Sequence, residues 1–274
     1  MKLTSDLFNR YLDHLSLQKN PPSELFLKQL IKAQIIKFPF ENISKLILWS
    51  EGKVNNLINF ETHLNNSINL NCGGTCYANN YYFSRLLEYL GFDVSIHGAD
   101  MGTGIDVHLV LKVNLNDKIF LVDVGYGAPF FDPFYISSFK PQGVKIGELE
   151  YKIVLTNDNR FQVIVFKRNN LVHDYIVNNK VQSIEYFAEE IKNSFCDDSE
   201  FMDKLRIFRF FNDHSIELNN NKYTINSDNS SDHYFVKNIE ELKKVVSTKF
   251  NLPKLPIEKA YEVLLHEKKI DIFS

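Results

Sequence analysis

Three side chains in the middle of the chain are of the types that carry out nucleophilic acyl transfer: Cys76, His108 and Asp123. A thiolate is the reactive form of cysteine, but a free thiol with a pKa near ~8.5 is mostly protonated at neutral pH. A helix N-terminus favours the anion, and a histidine that is oriented by a carboxylate can take the thiol proton. We therefore interpret Cys76 as a nucleophile, His108 as its base and Asp123 as the orienting acid.

The sequence around Cys76 predicts that this residue opens a helix. Thr75 is a good N-cap, apolar residues recur at helical spacing from Phe83 to Leu90, and Gly91 supplies the C-terminal stop. Gly73 and Gly74 let backbone approach closely just before the thiol, which leaves room for a substrate carbonyl and its hydrogen-bond donors.

His108 and Asp123 lie on two predicted strands, 107–114 and 118–125. If the connecting loop is symmetric about the bond between Leu115 and Asn116, His108 lies directly opposite Asp123. Cβ atoms at such positions are about 4.5–5.5 Å apart. A loop shifted by one residue pairs His108 with Gly125 instead, so this prediction depends on the register.

Other segments place these residues in a mixed α and β chain. Helices are predicted behind Thr4 or Ser5 and behind Ser23, the second ending before Pro39. Strand patterns at 93–98, 151–156, 160–167 and 171–177 indicate a sandwich or a small barrel. A helix is expected around 183–194, then strands at 205–211 and 222–226, and a last helix behind the capping box formed by Asn238 and Glu241.

Composition excludes several classes of function. Among 274 residues, 44% are hydrophobic and 24% are charged, and the net charge is -3, which argues against a nucleic-acid partner. No run approaches the ~18 apolar residues of a membrane span, and the first residues lack the apolar core of a signal peptide, so we expect a cytoplasmic protein with no membrane partner. Three cysteines are too few for a disulfide framework, and their spacing to histidines predicts no metal.

Four segments resemble, in order, the motif blocks of arylamine N-acetyltransferases: PFENISK (39–45), CGGTCYANN (72–80), VHLVLKV (107–113) and LVDVGYG (121–127). In that family the second block reads Arg-Gly-Gly-x-Cys-x-Glu-x-Asn, the third carries the catalytic histidine, and the fourth reads Asp-Val-Gly-aromatic-Gly. The stretch 199–225 also resembles the C-terminal part of the family, so the likeness spans nearly the whole chain.

The resemblance implies an α+β fold with a cysteine-protease-like core: a helical bundle (1–91), an antiparallel β-barrel (92–194) and an α/β lid (195–274). It also implies a ping-pong reaction, in which Cys76 takes an acetyl group from acetyl-CoA and passes it to an arylamine, hydrazine or N-hydroxyarylamine. By the same resemblance Gly102, Thr103 and Gly104 would contact CoA. Phe40 and the residues of Gly125-Tyr126-Gly127 would line the acceptor pocket.

Two positions depart from the family pattern. Cys72 stands where the family has arginine, and Ala78 stands where it has glutamate. Glu41, which would pair with that arginine, must therefore be solvated, protonated or paired elsewhere. Cys72 either fills the space left by the arginine or forms a regulatory disulfide with Cys76.

The trio of residue types does not by itself name the reaction. An amide synthase of the same fold, which acts on a thioester-bound polyketide, remains an alternative. So do a hydrolase with a Cys-His-Asp triad and a binding protein whose catalysis has eroded.

Overall fold

The computed structural model describes residues 4–53, 57–136, 142–227 and 230–274. Its first third is helical, with Thr4, Ser23 and Asn59 accepting hydrogen bonds from the first-turn N–H groups of their helices. The five helices are α1 (Ser5–Leu15), α2 (Glu24–Lys37), α3 (Ile43–Ser50), α4 (Phe60–Leu70) and α5 (Cys76–Tyr89). The helices α1, α2 and α5 match the sequence prediction, whereas α3 and α4 were not anticipated.

The middle of the chain forms an antiparallel sheet in the order β5-β4-β3-β2-β9-β8-β7-β6. The edge strands β5 and β6 meet through one side chain, because the amide of Gln142 accepts from Tyr135 N (3.1 Å) and donates to Tyr135 O (2.6 Å). The sheet is thus nearly closed, which confirms the predicted barrel. Its strands are β2 (Asp93–Met101), β3 (Gly104–Leu115), β4 (Lys118–Val122), β5 (Phe134–Tyr135), β6 (Gln142–Ile146), β7 (Leu149–Leu155), β8 (Phe161–Lys167) and β9 (Asn170–Gln182).

The last part of the chain adds a second antiparallel sheet, ordered β1-β10-β11-β12-β13. Its edge strand β1 comes from the helical third and pairs Phe40 with Phe208, so it joins the two ends of the chain. These strands are β1 (Phe40–Glu41), β10 (Arg206–Phe210), β11 (Ser215–Asn219), β12 (Lys222–Asn226) and β13 (Ser231–Phe235). The predicted boundaries between three separate domains stay a prediction.

Short helices connect and complete the two sheets. A 3-10 turn (Ile184–Phe187) runs into α6 (Ala188–Asn193) after the barrel. The C-terminal segment holds α7 (Ile239–Thr248), α8 (Ile257–Glu262) and a π-helical turn (Val263–Glu267). As predicted, Asn238 accepts from Glu241 N (3.0 Å), and the Glu241 side chain accepts from Lys237 N (2.9 Å). In the described ranges no helix is long and apolar enough to cross a membrane.

The predicted register of the β3–β4 hairpin is wrong by one residue in its loop. Leu115 pairs with Lys118 and Leu111 with Val122, so the turn is the two-residue Asn116-Asp117. Both turn residues have positive φ, 51° and 62°, which suits a tight hairpin turn whose twist matches the strands. This is the alternative register, in which His108 faces toward Gly125, and the paired part of β4 ends before Asp123.

Candidate active site

Cys76 is half-buried and is the first residue of α5, the helix start that the sequence predicted. Thr75 occupies the N-cap position, but its side chain makes no capping hydrogen bond. The turn before it is held against β1, because Glu41 N donates to Gly74 O (3.1 Å) and Gly73 N donates to Glu41 Oε1 (3.0 Å). A Cβ at Gly73 would lie 1.9 Å from Pro39 O, so this approach requires glycine. The thiol therefore occupies the N-terminal end of a helix whose entry is fixed by an adjoining strand.

His108 and Asp123 are in contact although the register differs from the prediction. His108 Nε2 lies 2.8 Å from Asp123 Oδ2, and both residues are buried. Asp123 follows Val122, the last paired residue of β4. Its side chain therefore need not point to the face that strand alternation would give it. The departure of the chain from the sheet, rather than a cross-strand pair, brings the carboxylate to the imidazole.

Asp123 is held by four donors. Its Oδ2 accepts from His108 and from the Tyr175 hydroxyl (2.8 Å), and its Oδ1 accepts from Asn80 Nδ2 (2.9 Å) and from Gly125 N (3.0 Å). Burial raises the pKa of Asp123, but the His108 charge and these donors outweigh it and hold the pKa below its usual range. Asp123 is thus a buried, ionised carboxylate with a fixed orientation.

His108 is correspondingly favoured as the imidazolium. Burial lowers its pKa, but the Asp123 charge, the Asp123 hydrogen bond and a hydrogen bond with Cys76 together raise it to about 10. Because Nε2 faces Asp123, the other ring nitrogen is the one left for the thiol. His108 and Asp123 are thus joined by a hydrogen bond, and Cys76 borders the same cavity as His108, close enough to act on the pKa of the imidazole.

Sequence reasoning missed two residues that fix this arrangement. Asn80 donates to Leu109 O (2.7 Å) as well as to Asp123, and its oxygen accepts from Val124 N (2.9 Å), so it ties α5 to both neighbouring segments. It lies four residues after Cys76, on the same helix face, and it closes the quoted motif block, which was a usable signal. Tyr175 on β9 carried no such signal, since it is 52 residues from Asp123.

Cys76 and His108 open into a cavity of about 690 Å³ between the barrel and the second sheet. The predicted acceptor residues Phe40, Gly125, Tyr126 and Gly127 all line it. Of the three residues expected at CoA, Thr103 lines the cavity, whereas Gly102 and Gly104 are not among the lining residues. They belong to the tight connection in which Met101 pairs with Gly104.

One wall of this cavity is aromatic. The Tyr126 ring stacks on Phe130 with centroids 6.1 Å apart, and its hydroxyl bonds to His173 Nδ1 (2.6 Å). The Tyr126 ring also packs edge-on against Tyr175 at 4.9 Å. These contacts fix the orientation of the Tyr126 ring beside His108, from which its centroid lies 5.6 Å away. Phe130 and Tyr175 are buried behind Tyr126, whose ring lines the cavity and suits a flat apolar group.

The departures at Cys72 and Ala78 are accommodated without an ion pair between Glu41 and any residue that the structure describes. Glu41 is fully buried and accepts from Ser44 N (2.8 Å), Ser44 Oγ (2.7 Å) and Gly73 N. Burial raises its pKa, although these donors act in the opposite direction. Cys72 is buried beside it as a free thiol, and burial together with the Glu41 charge raises its pKa.

All three cysteines, Cys72, Cys76 and Cys196, are present as free thiols. Within the described part of the chain, no group of three or more His, Cys, Asp or Glu side chains is arranged to hold a metal ion.

Comparison with known proteins shows the family and the fold of the chain. Residues 25–258 match the sequence model of the N-acetyltransferase family. The pineal gland arylamine N-acetyltransferase isozyme NAT-3 of Gallus gallus is 38% identical over 80 residues, which are 26% of this chain and only 27% of that protein. The fold is that of the Mycobacterium abscessus arylamine N-acetyltransferase (TM-score 0.79, 15% identity, covering 97% of this chain and 98% of that one).

A second solved structure is similar over most of its length. It is a Bacillus cereus arylamine N-acetyltransferase described as having a Cys-His-Glu catalytic triad (TM-score 0.71, 17% identity, covering 91% of this chain and 99% of that one). Because the family match extends over most of the sequence and both solved neighbours share its fold, the chain belongs to the arylamine N-acetyltransferase family.

Proposed function

We propose that this protein transfers an acetyl group from acetyl-CoA to an aromatic amine or hydrazine through a thioester on Cys76. The observation that carries the proposal is that the hydrogen-bonded pair of Asp123 and His108 borders the same cavity as Cys76, a half-buried sulfur at a helix N-terminus. Membership of the family supports the same reaction class. The cytoplasm, a reducing compartment, suits a free thiol nucleophile.

In the first half-reaction the Cys76 thiolate attacks the carbonyl carbon of acetyl-CoA. The bond from that carbon to Cys76 sulfur forms, the bond to CoA sulfur breaks, and the departing CoA thiolate takes the proton held on His108. The raised pKa of His108 keeps this proton available at neutral pH. Free N–H groups at the start of α5 would stabilise the oxyanion of the intermediate.

In the second half-reaction the amine nitrogen attacks the thioester carbon. The amide bond forms, Cys76 leaves as a thiolate, and His108 takes one proton from the amine nitrogen, which restores the starting charges. Thioester exchange between two sulfurs is nearly balanced, so the acetylated cysteine stays reactive toward an amine. Asp123 holds the imidazole throughout and does not take the proton itself.

The cavity supports an aromatic acceptor. Phe40, Tyr126 and the glycines on either side of Tyr126 surround the space beside Cys76, and we propose that the ring of the amine packs there. We propose that CoA enters past the connection 102–104, where Thr103 borders the cavity. No metal is needed for either half-reaction as written.

The test is mass spectrometry of the intact protein after mixing with acetyl-CoA. We expect one acetyl adduct, mapped to Cys76, that is discharged when an arylamine is added and persists in buffer alone. Cys76→Ser should abolish the adduct, whereas Cys196→Ser, a matched change at an exposed cysteine, should not.

Three results would contradict the proposal. Absence of an adduct between about pH 6 and 9 would favour a binding protein, since that range covers ordinary thiolate formation. Rapid discharge without an amine would favour a hydrolase. An adduct that only an intramolecular amine of a longer acyl chain discharges would favour an amide synthase.

A further inference from the structure

Lys45 is a buried lysine in the wall of the cavity that holds Cys76. It is the third residue of α3, it is 7% exposed, and its Nζ lies 4.8 Å from the centroid of the Phe195 ring. Over the described residues, Lys45 Nζ makes no ion pair or hydrogen bond within the usual limits, and Cys76 is the one charged group that acts on its titration. The sequence analysis gave Lys45 no role.

A second lysine shows how unusual this environment is. The Lys268 side chain is 6% exposed and its Nζ lies 4.1 Å from the Trp49 ring centroid, but it also lies 2.7 Å from Asp197 Oδ1. Lys45 has a similar aromatic contact without the carboxylate. An ammonium on a largely buried side chain with no carboxylate against it is costly, and Lys45 borders the same cavity as Cys76, so an anion formed there during the reaction would stabilise it.

The backbone that carries Lys45 is firmly anchored. Asn42, which precedes α3, accepts from Arg206 N (2.7 Å) and donates to Lys204 O (2.6 Å). Glu41 accepts from Ser44 N in the first turn of the same helix. The ammonium therefore reaches the cavity from a helix start that is fixed to the second sheet, which keeps it on the Cys76 side.

We propose that Lys45 is a positioning cation that stabilises negative charge at Cys76, first as the free thiolate and then in the tetrahedral intermediates of both half-reactions. This inference rests on the proposed function. In the first half-reaction Lys45 increases the fraction of Cys76 that is present as the reactive thiolate. In the second half-reaction the starting thioester is neutral and the tetrahedral intermediate is charged, so Lys45 lowers the barrier between them.

The charge state of Lys45 is compatible with this role. Burial lowers its pKa to about 8, and the Cys76 charge opposes that effect, so the ammonium is charged at neutral pH. The other titratable side chains that line the cavity are Tyr77, His108, Tyr126, Tyr151, Lys167, His173, Glu190, Asp198, Glu200, Arg206, Glu217, Lys222 and His233. None of these is a cause of the shift in the Lys45 pKa, which burial lowers and the Cys76 charge raises.

The experiment compares Lys45→Met, Lys45→Arg and the control Lys268→Met. Alkylation of Cys76 by iodoacetamide is measured against pH, single-turnover acetylation and deacetylation rates are measured by mass spectrometry, and stability by thermal denaturation. For Lys45→Met we expect an alkylation midpoint about one pH unit higher and both rates about tenfold lower, the effect of one nearby opposite charge. Its stability should be unchanged or higher, because an unpaired buried charge has been removed.

Lys45→Arg should recover most of the rate, and Lys268→Met should leave alkylation and both rates unchanged. An unchanged alkylation profile with unchanged rates in Lys45→Met overturns the inference while the acetyl adduct of the wild type still supports the proposed function. Loss of activity that accompanies loss of stability, without rescue by arginine, also overturns it. If the wild type forms no acetyl adduct but the alkylation midpoint of Lys45→Met is still higher than that of the wild type, the proposed reaction fails. The stabilisation of the Cys76 thiolate by Lys45 is then still supported.

Discussion

Replacing Asp123 by asparagine tests whether the carboxylate keeps His108 charged and correctly oriented. Asp123 Oδ1 accepts from two N–H donors, so the amide oxygen of the new side chain will take that position. Its NH2 group then faces His108 Nε2 in place of Oδ2. Nε2 must accept rather than donate, and the ring proton moves to the nitrogen that has to receive the proton of Cys76.

The size of the effect follows from the pKa of His108. A pKa raised from 6.5 to about 10 corresponds to a preference for the charged ring of about 5 kcal/mol, at about 1.4 kcal/mol per pKa unit. Asp123 supplies most of this preference, since burial alone acts in the opposite direction. Acetyl transfer should therefore fall by a factor of about 10³ to 10⁴ in Asp123→Asn, with little change in the fold.

Alkylation of Cys76 by iodoacetamide reports the thiolate directly. An ordinary thiol with a pKa near 8.5 is about 3% ionised at pH 7, so alkylation at that pH should fall about 30-fold or more in Asp123→Asn. Asp106→Asn is the control, because Asp106 is also buried and accepts from Asn178 and Tyr186 outside the cavity wall. Equal alkylation rates in Asp123→Asn and the wild type would refute the argument that this carboxylate sustains the ion pair.

Three further variants test the surroundings of the site. Tyr175→Phe removes one donor to Asp123 and should lower the free energy of unfolding in urea by about 1.5–3 kcal/mol; no loss would mean that this hydrogen bond contributes nothing. Gly125→Ala places a Cβ 2.8 Å from Cys76 Cα, so acetyl transfer should fall about 100-fold in single-turnover assays, and an unaltered rate would show that the loop has room. Because burial raises the pKa of Glu41, ionisation of Glu41 destabilises the fold. The free energy of unfolding of the wild type in urea, relative to that of Glu41→Gln, should therefore fall as pH rises from about 4.5 through the folded pKa. A rise over this range would contradict the prediction.

The sequence sufficed for features that depend on local chemistry. The helix start at Cys76 follows from a cap, two glycines and an apolar stripe within twenty residues, and the structure has it there. The β3–β4 register failed because it depends on whether Asn116 and Asp117 both take left-handed backbone, which the pattern of strands does not decide. The contact between His108 and Asp123 was predicted correctly but for an incorrect reason. The prediction placed the two residues directly opposite each other on paired strands, whereas Asp123 lies beyond the paired part of β4.

Residues whose role depends on the tertiary structure could not be predicted from the sequence. Tyr175 reaches Asp123 only because β9 lies beside β2 in the barrel, an order that no local pattern specifies. Lys45 is a single polar residue in a short helix, and an exposed side chain would have fitted the same pattern. Its burial follows from the pairing of β1 with β10, which brings the start of α3 against the second sheet.

The two departures from the family pattern have one physical explanation. Where the pattern has arginine, the small thiol of Cys72 is buried, and Ala78 on α5 stands where the pattern has glutamate. Glu41 is then left with neutral donors, two from Ser44 and one from Gly73, and burial raises its pKa. The turn before Cys76 is therefore held to Glu41 by hydrogen bonds from neutral groups rather than by an ion pair among the described residues.

Two cations lie close enough to Cys76 for its charge to affect their pKa values. Among the described residues these are His108 and Lys45. In surroundings of low dielectric constant their effect on a thiolate is larger than at the surface, because few other charges screen it. His108 and Lys45 both line the cavity, so these two cations act on Cys76 from its cavity side, in addition to the N-terminus of α5.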